Sequence, residues 1–181
     1  PANRPQITFL MIDTNHEAIN RHVHSDGDMS DPFWMSAEEQ AAQSEWLENQ
    51  LISSRAPFTV VVGHHPIYSE GSHGDTPSLV SELSPILEKY GVHIYMCGHD
   101  HDLQHLELDG LKTSFVVSGG GGARLYKQKE MLRKDSVVKD VHGFTHLSLN
   151  ENRLHLRHID PNGKIVHAFS KGVNHDWKVE A

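Results

Sequence analysis

Apolar residues along the chain gather into short runs that stop at glycine or at a polar cluster. Ile7 to Asp13 (ITFLMID), with Pro5 before it and polar residues after, reads as a buried strand. Phe58 to Val62 (FTVVV) is β-branched and unbroken, the pattern of a strand covered on both faces. Val92 to Cys97 and Ser114 to Ser118 are two more, the latter entering Gly119-Gly120-Gly121-Gly122. Between these runs the period lengthens. Ser36-Ala37-Glu38-Glu39 is a capping box, and it predicts a helix to about Ser54 whose buried stripe is Trp46, Leu47 and Leu51. Thr76-Pro77 caps and starts a second helix, with Leu79, Leu83, Ile86, Leu87 and Tyr90 on one face, a kink at Pro85 and Gly91 at C′. The last third alternates: His142 to Leu149, Leu154 to Ile159 and Ile165 to Phe169 predict an antiparallel meander turning at Asn150-Glu151-Asn152 and Pro161-Asn162-Gly163.

Two strands joined by a crossover helix run parallel, so their carboxyl ends emerge on one edge of the sheet, where open α/β sheets place ligands. What leaves the strands here is unusual. Phe58 to Val62 is followed by Gly63-His64-His65-Pro66, and Val92 to Cys97 by Gly98-His99-Asp100-His101. Topology therefore predicts that His64, His65, His99 and His101 meet in space. Neutral imidazole is a common ligand for Zn, Fe or Mn. In an extended His-x-His, His99 and His101 project to one side, holding one ion together or serving two ions about 3.5 to 4 Å apart.

Composition narrows the classes. The 181 residues are 37% hydrophobic and 22% charged, an ordinary globular balance that predicts one compact body. A formal charge of -8 disfavours a nucleic-acid groove, although 16 histidines would add positive charge below about pH 6.5. No apolar run approaches the length of a membrane span. The one cysteine, Cys97, excludes an internal disulfide and reads as a buried, inert thiol. Asp26, Asp28 and Asp31, in the aperiodic stretch from Thr14 to Met35, miss the EF-hand spacing and read as a solvated loop. The glycine run 119–122 lacks a following Gly-Lys-Ser/Thr and reads as a permissive turn beside the site.

VVVGHHPIY, GSHG, LSPILEKYGVHIYMCGHDHDLQH and FVVSGGGG resemble the second half of the purple acid phosphatases of the tartrate-resistant type, within the calcineurin-like metallophosphoesterases. The resemblance runs from the Ile7 strand to the final meander. It implies an α/β fold: half of a metallophosphoesterase β-sandwich flanked by helices, with a mixed sheet and the antiparallel meander, forming a single domain over 1–181 with a lid at 14–35. It implies His64 and His99 as ligands of a divalent ion (Fe2+, Zn2+ or Mn2+) and His101 as a ligand of a neighbouring Fe3+. His73 would contact phosphate or protonate the leaving group, and His65 would be a pocket residue. The implied reaction is hydrolysis of a phosphate monoester by metal-bound hydroxide, outside the cytoplasm (secreted, periplasmic or lysosomal).

The family's Asp-x-Gly, Gly-Asp-x-x-Tyr and Gly-Asn-His-Asp motifs are absent, and Asn15-His16-Glu17 lacks the glycine of the third. This chain therefore reads as a segment, starting at Pro1, whose partner is the N-terminal half of the same fold. Alone, with three imidazoles and no bridging carboxylate, it is expected to bind its metals weakly, to catalyse poorly and to expose a sheet edge. A phosphodiesterase of the same superfamily, or a catalytically silent module binding metal or a partner, are the alternatives. Neither nucleic acid nor membrane is an expected partner.

Overall fold

A computed structural model describes residues 6–16, 34–126, 133–150 and 152–180. In chain order the elements are β1 (Ile7–Met11), α1 (Ala37–Ser53), β2 (Phe58–Val62), α2 (Pro77–Lys89), β3 (Ile94–Cys97), β4 (Leu103–Leu106), β5 (Ser114–Ser118), β6 (Ser136–Lys139), β7 (Phe144–Asn150), β8 (Arg153–Ile159), β9 (Ile165–Gly172) and β10 (Trp177–Val179). Strands β1, β2, β3 and β5 run parallel, with Val62 opposite Met96 and Cys97 opposite Val117. Antiparallel β4 and β6 complete a six-stranded sheet in the order β1-β2-β3-β5-β4-β6. The predicted meander, β7 to β9, forms a second antiparallel sheet with β10.

Side chains alternate across the six-stranded sheet to fill two cores. Val61, Tyr95, Cys97, Phe115 and Val117 pack with Leu47, Leu51, Leu79, Leu83 and Leu87 of the helices. Val60, Ile94 and Val116 point the other way, onto Leu154, Leu156 and Phe169 of the second sheet. That double cover is why β2 reads as an unbroken apolar run. Burying each such side chain contributes about 1.5–3 kcal/mol.

Helix α1 carries the predicted capping box: the Ser36 side chain accepts from the Glu39 amide while Glu39 reaches back to the Ser36 amide. Its stripe is narrower than predicted, because Leu47 and Leu51 are buried but Trp46 is 42% exposed on the flank. Thr76 occupies the N-cap of α2 without a side-chain cap bond; Pro77 stands in the first turn and the helix continues through Pro85 to Lys89. Gly91 takes the left-handed conformation (φ 63°) that closes it. Strand β1 departs from the buried strand expected there. It is a sheet edge, with Leu10 facing the helices and Phe9 and Met11 exposed at 52% and 65%. Cys97 is buried, and burial pushes its thiol pKa well up. Residues 17–33 of the expected lid, with Asp26, Asp28 and Asp31, lie outside the described residues.

Candidate metal centre

Three neighbouring parallel strands, β2, β3 and β5, deliver their carboxyl ends to one place, and each ends at a glycine. The glycine amides tie the three exits together: Gly63 donates to the Met96 carbonyl (3.1 Å), Gly98 to that of His64 (3.0 Å) and Gly119 to that of Asp102 (2.9 Å). Above them opens a cleft of about 430 Å³ lined by His64, His73, His99, His101 and Tyr126, with the glycine run beside it.

His64 Nε2 lies 3.3 Å from His99 Nδ1. One nitrogen from each of His64, His65 and His99 falls within 4.8 Å of the others. His101 is not in that group. The His99-Asp100-His101 segment is not extended, because His99 adopts a left-handed backbone (φ 67°), so the two imidazoles do not project side by side as in a strand. Instead the His101 ring stacks on Tyr126, centroids 4.2 Å apart. Its Nδ1 donates to the Arg124 carbonyl at 2.8 Å, which leaves Nε2 as the lone-pair nitrogen. His73 sits 4.2 Å, centroid to centroid, from His99.

Asp100 is a buried acid beside the cleft that motif reasoning passed over. It is fully buried, and its carboxylate accepts from the His73 ring Nδ1 (2.6 Å), the His73 amide (3.2 Å) and the hydroxyls of Ser69 and Ser72. The sequence signal was its place between the two histidines. Two glycines make room for it: a Cβ at Gly71 would strike the Asp100 side chain, and one at Gly119 would land on the Asp100 carbonyl oxygen. Gly119→Ala is therefore expected to lower stability by about 1–3 kcal/mol, through forced displacement of the 98–102 turn. Thermal melting checks this; an unchanged Tm would refute it.

Residues 10–103 match the calcineurin-like phosphoesterase family, over more than half of the 181 residues. The chain belongs to that family. Among curated proteins, this phosphoesterase chain is similar to human tartrate-resistant acid phosphatase type 5, 35% identical over 130 residues that cover 67% of the chain and 40% of that protein. Arabidopsis thaliana purple acid phosphatase 7 is 38% identical over 126 residues, covering 68% and 38%. The chain thus spans about two fifths of the length of these relatives. The fold is shared with a purple acid phosphatase from yellow lupin seeds (TM-score 0.72, 21% identity, 92% of this chain and 31% of that one). It is also shared with Plasmodium GAP50, described as the anchor in the inner membrane complex (TM-score 0.73, 21% identity, 97% and 50%). No helix among the described residues is long and apolar enough to cross a membrane.

The donor chemistry decides which ion fits this group of histidines. Burial first, and then the neighbouring imidazoles, lower the pKa of His65 and of His99 to about 4. Both rings are therefore neutral in weakly acidic as well as neutral solution. Neutral nitrogens suit a divalent transition ion. Fe3+ wants anionic oxygen donors, and the three-nitrogen group among the described residues contains none. Asp102, buried like Asp100, has its pKa raised to about 7 by burial and already holds the Gln104 amide at 2.9 Å.

Proposed function

We propose that the protein containing this chain hydrolyses phosphate monoesters at a two-ion centre, and that this chain supplies the histidine side of it. The observation that carries the reading is the convergence of His64, His73, His99 and His101 on one cleft at the strand exits. The acid phosphatases among its relatives support the substrate class. When bound, the two ions supply Lewis-acid activation of the ester and of the attacking water. His64 and His99 would hold the divalent ion (Fe2+, Zn2+ or Mn2+), and His101, through Nε2, a neighbouring Fe3+. The anionic oxygens that Fe3+ requires would come from the N-terminal half of the fold, the partner in this reading, and the assembly would work outside the cytoplasm.

The chain's own residues bind and move protons. Asp100 fixes the His73 ring through Nδ1, so His73 offers Nε2 to the cleft, where the ring protonated on both nitrogens can give its Nε2 proton to the departing alkoxide and return to the neutral form. Asp100 acts through His73 and is a positioning residue. Asp100→Asn is expected to lower kcat about 100-fold and to change KM little, because it loosens the ring rather than the ions. Steady-state kinetics of the full-length protein check this, and an unchanged kcat would remove His73 and Asp100 from the mechanism. The decisive assay compares p-nitrophenyl phosphate with bis(p-nitrophenyl) phosphate. Faster turnover of the diester would favour a phosphodiesterase. Metal-loaded protein that hydrolyses neither would leave a silent module.

A further inference from the structure

His73 stands on the connection from β2 to α2, which has no helix or strand of its own, with Gly71 before it and Gly74 (φ 71°) directly after. Glycine leaves a chain free to move, whereas a proton donor works only within a narrow geometry. Asp100 holds the ring and the amide of His73. We infer that Arg133 holds the loop on either side of them and is a positioning residue for His73. The inference rests on the proposed acid role of His73 and adds to it the side chain that fixes the loop.

Three observations carry it. First, Arg133 grips the loop both before and after His73. Its Nη2 donates to the two carboxylate oxygens of Asp75 (2.8 and 2.6 Å), while its Nε lies 3.3 Å from Glu70 Oε1. The guanidinium also lies over the Tyr68 ring, 5.9 Å from its centroid. Second, both acids belong to the framework of the loop. Asp75 Oδ1 accepts the Ser69 amide (3.1 Å), and the Glu70 amide donates to Gln104 Oε1 (2.9 Å). Glu70 is only 2% exposed and does not line the cleft, so its carboxylate serves the fold, and a buried charge of this kind needs the cation it has in Arg133. Third, Arg133 lies on the β5–β6 connection, whose start lines the cleft. That connection leaves β5 through the glycine run and brings Tyr126 edge-on to His73, centroids 5.3 Å apart. Both of its described ends therefore bear on the histidine or on its loop.

The test is the kinetics of the full-length protein on two monoesters. Glycerol 2-phosphate releases an alkoxide that needs a proton, whereas p-nitrophenyl phosphate releases a stable phenolate that does not. Arg133→Ala is expected to lower kcat about 10-fold on the first ester and about 2-fold or less on the second, with KM little changed. A structural defect alone would slow both equally. Placed on His73→Ala, the same substitution is expected to lower kcat no further, because it acts through that ring. Asp75→Asn opens one arm of the clamp and leaves the buried Glu70 paired, so it is expected to show the same selective loss, smaller, even if Arg133→Ala does not fold. Suppose His73→Ala is slow on glycerol 2-phosphate, while the Arg133 and Asp75 variants match wild type, slow both esters alike or add in full to His73→Ala. Arg133 then does not position His73, and the acid role stands. If His73→Ala is itself as fast as wild type on glycerol 2-phosphate, the acid role falls and the inference with it.

Discussion

Glu107→Ala is expected to cost the fold about 3–5 kcal/mol, more than any substitution at the cleft. Glu107 is 6% exposed and joins three groups behind β4: its carboxylate accepts from His105 Nε2 (2.9 Å), from the Ser114 hydroxyl and from Lys171 Nζ (3.3 Å). Lys171 is 1% exposed on β9, so the pair spans the two sheets. Removing the carboxylate strands a buried ammonium, and that desolvation, rather than the lost attraction, is the larger part of the penalty. Urea unfolding measures it. The control is Glu107→Leu with Lys171→Met, which removes both charges and is expected to recover most of the loss. A double variant as unstable as Glu107→Ala would mean that packing, not charge, holds the sheets together here.

The same strand shows why part of this molecule was legible in sequence and part was not. β2, β3 and β5 are apolar and end at glycine, so their existence followed from pattern, and the crossover helix gave β2 and β3 a common direction and edge; that β5 lies parallel beside β3 is seen only in the structure. β4 hides because its interior is polar. Leu103-Gln104-His105-Leu106 is buried throughout, yet Gln104 and His105 give no hydrophobic period, and the segment reads as the tail of the histidine motif. Gln104 holds the Glu70 amide and Asp102, while its neighbour His105 bonds His167 across the sheets. The cleft partly resisted for a related reason. Spacing placed His64, His99 and His101 at the right edge, but the φ of His99 and the burial of Asp100 arise from the turn packing on Gly71 and Gly119, a contact far away in sequence.

Acid should therefore loosen the two sheets before it strips the core. His105, His158 and His167 lie between them: His105 Nδ1 is 3.0 Å from His167 Nε2, and His158 bonds the Gln104 carbonyl through Nε2 (3.2 Å) and Thr145 Oγ1 through Nδ1 (2.9 Å). Lys139 and Lys171 add positive charge around them, while Glu107 accepts from His105 alone of the three. Burial first, then this mutual repulsion, lowers His158 to about 3 and His167 to about 4, and burial lowers His105 despite Glu107. The sign follows. Below about pH 6.5 the unfolded chain takes up protons that these folded imidazoles refuse, so stability is lost as pH falls from about 6.5 towards their folded values. Each neutral imidazole contributes a slope of about 1.4 kcal/mol per pH unit, so His158 and His167 together predict a loss of roughly 4 kcal/mol between pH 6 and 4.5. Glu107 does not offset this, since its pKa is itself lowered and its contribution fades only at more acid pH. His65 and His99 titrate with the same sign, so the assignment rests on a variant. His158→Gln, which retains a donor for the Gln104 carbonyl, is expected to flatten the urea-midpoint slope by one imidazole's share. Equal slopes in variant and wild type would clear the inter-sheet histidines. If the slope does flatten, the acid limb of any activity profile includes loss of scaffold as well as of chemistry, and the same variant separates the two.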